Sequence, residues 1–119
     1  MTVTIYHNPR CSKSRQTLSL LESAAVQLDV VEYLAKPPSA ADILDLARLL
    51  GLPVAGLLRR GEPEFRDATD LPDLGDDAAV ATWIAAHPKV LQRPIVVNAQ
   101  RTAAVIGRPP ENALELVGR

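Results

Sequence analysis

The chain carries one sulfur nucleophile, Cys11, within the run His7-Asn8-Pro9-Arg10-Cys11-Ser12-Lys13-Ser14-Arg15. A single thiol can close no internal disulfide and can build none of the multi-cysteine zinc patterns. Redox chemistry at Cys11 therefore draws its second thiol from another molecule. Arg10 and Lys13 lie close to it in sequence, Arg15 lies one turn along and His7 stands just upstream, so positive charge gathers around the sulfur. Ser14, three residues on, falls on the same side of a helix begun at Cys11 and can donate its hydroxyl to the sulfur. The Cys-x-x-Ser spacing keeps a donor where a dithiol device places its resolving cysteine. An inert buried cysteine is the competing reading for any lone thiol. A strand-to-helix turn among four cationic or titratable side chains favours chemistry.

The elements that hold this loop follow from the pattern on either side. Thr2 to Tyr6 alternates apolar and polar residues of β-branched type, which predicts a strand, and good helix formers return from Ser12. Leu18, Leu21 and Ala25 predict the buried face of that helix. Gln27 to Tyr33 predicts a second strand, so the opening unit is βαβ with a parallel pair. Ser39, with Asp42 three residues later, predicts a capping box, and Ile43, Leu46, Ala47 and Leu50 form a stripe ending at Gly51. Val54 to Arg60 reads as a short helical piece and Gly61 to Gly75 as loop. A helix opening at Asp76 or Asp77 buries Val80, Trp83 and Ile84 and stops at His87-Pro88. Ile95 to Val97 and Thr102 to Ile106 predict an antiparallel hairpin, and a last helix after Pro109-Pro110 uses Leu114 and Val117.

The expected fold is α/β and thioredoxin-like. A mixed four-stranded sheet is flanked by helices, with a helical insertion between the βαβ and ββα halves. Residues 1–35 and 88–119 form the core and residues 36–87 the insertion, all within one domain over residues 1–119. Pro94, just before the third strand, stands where this fold commonly places a cis proline, although only ~5% of prolyl bonds are cis.

Composition narrows the partners. Thirteen basic and fourteen acidic residues give a formal charge of -1, so no global field draws the chain to nucleic acid or an anionic membrane. An anion site must be built locally, and ten of the thirteen cations are arginine, whose planar fork suits tetrahedral oxyanions. No apolar run reaches the ~18 to 20 residues of a membrane span, and Met1 to Tyr6 lacks the features of a signal peptide. A cytoplasmic location is expected, with no bound cofactor and no metal.

The segment His7 to Leu18 resembles the active-site loop of the glutaredoxin-coupled arsenate reductases, Tyr-His-Asn-Pro-x-Cys-x-x-Ser-Arg. The resemblance continues through Leu57-Leu58-Arg59-Arg60, His87-Pro88, Arg93-Pro94-Ile95-Val96-Val97 and Gly107-Arg108-Pro109-Pro110-Glu111, so it spans nearly the whole chain. It implies that Cys11 is the nucleophile and that Arg59, Arg93 and Arg108 bind the oxyanion, with Arg60 as the neighbouring register. His7, Ser14 and Arg15 are expected to tune the thiolate. The implied partners are arsenate or a similar oxyanion, glutathione as co-substrate, and glutaredoxin. Two other readings stand beside it: a monothiol glutathione-dependent oxidoreductase acting on protein mixed disulfides, and a regulatory binding module of the same fold.

Overall fold

Strand formation at the N-terminus follows from burial of Val3 and Ile5, which carry 6% and 0% of their free exposure. In a computed structural model of the chain, described over residues 2–117, the elements run β1 (Thr2–His7), α1 (Ser12–Ser23), β2 (Gln27–Glu32), α2 (Ala40–Leu50), α3 (Pro63–Arg66), α4 (Asp77–Ala86), β3 (Ile95–Val97), β4 (Ala104–Ile106) and α5 (Leu114–Val117). Tight 3-10 turns cover Val54–Leu57, Pro88–Val90 and Pro110–Ala113. The chain packs as two units, Met1–Lys36 with Arg93–Arg119, and Pro37–Gln92. Among the described residues, no helix is long and apolar enough to cross a membrane.

The first unit holds the sheet, in the order β2-β1-β3-β4. β1 pairs with β2 in parallel, from Thr2 opposite Gln27 to His7 opposite Glu32, while β3 is antiparallel to β1 and β4 to β3. This is the thioredoxin-like arrangement. Val3, Ile5, Leu21, Val96 and Ala113 form one buried cluster, with Leu18, Leu28 and Leu116 packed against it. Each fully buried aliphatic side chain contributes roughly 1.5–3 kcal/mol. The peptide bonds Arg93-Pro94 and Arg108-Pro109 are both cis.

In the second unit, α2 begins at Ser39, whose Oγ accepts from the Asp42 amide at 3.1 Å while Asp42 Oδ2 accepts from the Ser39 amide at 3.1 Å. It ends at Gly51, with φ of 70°, a left-handed conformation that glycine adopts without a Cβ penalty. α4 is opened by Asp76, whose carboxylate accepts from the Ala79 amide at 3.2 Å. Trp83 stacks on His87 with centroids 4.2 Å apart and donates its Nε1 hydrogen to Asp70.

Five local expectations need correction. Ala25 is exposed at φ of 59°, because α1 has already ended at Ser23. The stretch from Gly61 to Gly75 contains α3, a four-residue helix started by Pro63, too short to show an apolar period. The helical turn predicted for residues 54–60 stops at Leu57, and Leu58 extends to bridge Leu91. At the C-terminal end Val117 packs inward as expected, but Leu114 is 38% exposed and Leu116 packs against the core in its place, since the 3-10 turn over Pro110–Ala113 rotates the following helix. β4 also starts later than expected, at Ala104, because Asn98 Oδ1 accepts the amide hydrogens of Thr102 and Ala103.

Candidate active site

Cys11 is the N-cap residue of α1, with φ of -94° and ψ of 123°. Its amide donates to Asn8 O at 3.0 Å, closing the turn after β1, and Arg15 N donates to Cys11 O at 3.0 Å, opening the helix. No side chain caps this helix and no acidic residue occupies its first turn. The amides of Lys13 and Ser14 are therefore available to the sulfur, at the positive end of the helix dipole.

Ser14 is fully buried, and its hydroxyl is committed elsewhere. Ser14 Oγ lies 2.8 Å from His7 Nδ1 and accepts the Asn8 amide hydrogen at 3.0 Å. The backbone N–H of Ser14, rather than its hydroxyl, serves the thiolate. His7 is 6% exposed, and burial lowers its pKa first, with Arg15 adding to the effect against Glu32. The imidazole is thus mostly neutral at pH 7 and holds Ser14 rather than supplying charge. Arg15 Nη1 donates to Pro9 O at 2.9 Å and braces the loop from outside.

Two arginines reach the sulfur, both from residues preceding a cis proline. Arg108 Nη2 donates to Cys11 Sγ at 3.5 Å, while its Nε donates to Arg93 O at 2.8 Å. One guanidinium so ties the end of β4 to the start of β3 and points at the thiol. Arg93 is half-buried and hydrogen-bonds the thiolate. Burial pushes the Cys11 thiol up, but the Ser14 amide, the Arg93 guanidinium, the Lys13 amide and the Arg108 charge together outweigh it, and its pKa falls below the ordinary thiol value.

Gly107 sets the approach of this arm. A Cβ there would lie 2.6 Å from Thr17 Oγ1 and 2.8 Å from Pro94 Cγ. Thr17 is itself buried in α1, its hydroxyl donating to Lys13 O at 2.8 Å.

The structure brings together Cys11, His7, Ser14, Arg15, Arg93 and Arg108. Arg59 belongs to the second unit, where it is half-buried and its amide donates to Val90 O at 2.6 Å. Its neighbour Arg60 lies over the Phe65 ring, 5.9 Å from the centroid. Sequence reasoning missed Asn8, Thr17, Gly107 and Tyr33 as parts of the first unit's site. Asn8 accepts the Arg10 amide at 3.0 Å and shapes the loop, and its loop position beside Pro9 was the available signal.

A low-pKa thiolate beside helix amides and two guanidinium groups can attack an electrophilic centre and hold the oxygens of a tetrahedral anion on the same donors. Among the described residues, no cluster of three or more His, Cys, Asp or Glu side chains is placed to hold a metal ion.

The ArsC family model matches residues 6–116. The chain is 45% identical over 118 residues to the uncharacterized protein YfgD of Escherichia coli strain K12, covering 98% of this chain and 97% of that one. It is 43% identical over 112 residues to an arsenate reductase of Neisseria meningitidis serogroup A, covering 92% and 93% respectively. Among solved structures, an arsenate reductase from Vibrio cholerae superposes with a TM-score of 0.85 at 40% identity, covering 98% of each chain.

Proposed function

The chain belongs to the ArsC family, and from that premise we propose that it reduces arsenate to arsenite through a nucleophilic Cys11 thiolate, with glutathione and glutaredoxin supplying the electrons. The observation that carries this reading is the donation from Arg108 Nη2 to Cys11 Sγ at 3.5 Å at the uncapped start of α1. Arsenate is an anion near neutral pH, and its approach to a negative sulfur is repulsive unless permanent cations offset the charge. Guanidinium groups do so without losing a proton, and their paired donors match two oxygens of one tetrahedron.

In the first step Sγ forms a bond to arsenic and an arsenate oxygen leaves as water after protonation. Glutathione thiolate then attacks Sγ, the sulfur–arsenic bond breaks with its electron pair going to arsenic, and arsenic(V) becomes arsenic(III). Arsenite departs and Cys11 is left in a mixed disulfide. The glutaredoxin thiolate attacks the glutathionyl sulfur, and the Cys11 thiolate leaves, its low pKa making it a good leaving group. With one cysteine in the chain, this external-thiol sequence is consistent with the composition. Arg93 and Arg108 hold the oxyanion in this scheme, and Arg59 is the third oxyanion ligand that the family resemblance assigns. A reactive lone thiol also suits the cytoplasm, where thiols are kept reduced.

The test is NADPH oxidation in the presence of arsenate, glutathione, glutathione reductase and glutaredoxin. Wild type should give arsenate-dependent oxidation and Cys11→Ser none. Equal rates for the two proteins, or a rate seen only when a glutathionylated peptide replaces arsenate, would reject arsenate as substrate.

A further inference from the structure

Tyr33 follows directly on β2, whose last pair sets Glu32 opposite His7, so the parallel register delivers Tyr33 alongside Asn8 at the base of the Cys11 loop. The residue is wholly buried. Its hydroxyl lies within reach of the Arg93 guanidinium and the Asn8 side chain and senses the charge of Cys11, yet makes no hydrogen bond of good geometry in this structure. A buried hydroxyl without a partner is destabilising, so a phenol kept in such a place, where phenylalanine would fill the same volume, calls for a role.

The chemistry of the neighbours defines that role. Arginine has only donors, so toward Arg93 the phenolic oxygen can act only as an acceptor, which leaves its own hydrogen free to turn toward the Asn8 side chain. Arg93 Nε is also buried. We propose that Tyr33 is a positioning residue, its buried hydroxyl backing the Arg93 guanidinium so that the remaining Arg93 donors stay turned toward Cys11 and any bound oxyanion. Burial raises the phenol pKa, with the Arg93 charge only partly opposing it, so the hydroxyl stays neutral wherever the thiolate is formed and adds no repulsion to the site. The inference rests on the thiolate–arginine site of the proposed function but not on arsenate being its substrate.

The experiment is Tyr33→Phe, which removes the oxygen alone, read by titrating thiolate absorbance and by the concentration of inorganic arsenate needed to protect Cys11 from alkylation. The Cys11 midpoint should move upward by about half a unit to one unit, and the protecting concentration should rise roughly three- to tenfold, as expected for removing one polar contact no stronger than an ordinary net hydrogen bond. In an Arg93→Ala background Tyr33→Phe should change neither quantity. An unmoved midpoint in the single variant, or an equal shift with and without Arg93, would overturn the proposal. Neither readout involves turnover, so a protein inactive on arsenate is tested as well as an active one. A wild-type measurement stands independently of the variant's folding. The Arg93 Nε–H resonance should be slow to exchange and show a nuclear Overhauser contact with the Tyr33 ring, and absence of that contact would equally reject the idea.

Discussion

The two longest helices begin in opposite ways. α2 opens on a complete capping box, Ser39 and Asp42 each satisfying the other's amide. α1 opens on Cys11, with no side-chain cap and no first-turn acid. In α2 the Ser39 and Asp42 amide hydrogens are taken up within the chain, which stabilises the helix start. In α1 the Ser14 and Lys13 amides face the sulfur instead. The contrast shows local stability set aside where a thiolate needs donors, since a serine cap contributes about 1 kcal/mol that α1 forgoes when its thiol is neutral.

Removing the cations that complement the α1 opening should give the largest effect. Arg108→Ala and Arg93→Ala are each expected to lower kcat/KM for arsenate by about a hundredfold, in the range seen for deleting one donor from a preorganised anion site. The Cys11 midpoint should rise in both. Steady-state kinetics with circular dichroism as a control for folding measures this, and two variants with wild-type activity would break the assignment.

Next in size is the exchange of caps. Ser39→Ala should cost the fold about 1 kcal/mol in urea unfolding while leaving the Cys11 titration unchanged. If the midpoint of Cys11 moved as well, the two helix starts would not be independent.

The smallest effect sharpens the contrast through pH. Because the folded pKa of Cys11 is depressed, its thiolate contributes stability that is complete above the ordinary thiol value of about 8.5 and is lost as pH falls through the folded midpoint. Cys11→Ser supplies a cap that is indifferent to pH. The serine variant should therefore be the more stable protein below the folded midpoint, and its advantage should shrink steadily as pH rises between the folded midpoint and about 8.5. Parallel stability curves for the two proteins would contradict the thiolate's role at this terminus.

What the sequence disclosed follows the same division between local and distant. The capping box of α2, the αL glycine at its end, the strand alternation in β1 and the strand-to-helix position of Cys11 are all properties of neighbouring residues, and the thioredoxin-like order followed from them. Contacts set by register were not legible. The spacing from Cys11 to Ser14 suggests a hydroxyl on the sulfur, but the pairing of β1 and the turn at Asn8 bring His7 Nδ1 and the Asn8 amide to that oxygen first. Likewise Arg15 adds a brace at Pro9 O, a role that counting charges around Cys11 does not reveal. Tyr33 was visible only as the end of a strand, because its place beside Arg93 depends on a segment sixty residues away in the chain. The Leu114 phase error has a similar origin, since a 3-10 turn advances each residue by a different angle from an α-helix.

Gly107 makes the reach of the second arginine a matter of one missing methyl group. The segment bearing Arg108 lies so close to Thr17 and Pro94 that only a residue without Cβ fits at position 107, and from there the Arg108 guanidinium reaches the sulfur. Residue 107 thereby governs how closely the two segments approach. A side chain added there would overlap Thr17 and Pro94, so one of these segments must give way, and the spacing of Arg108 from the sulfur is expected to change with it.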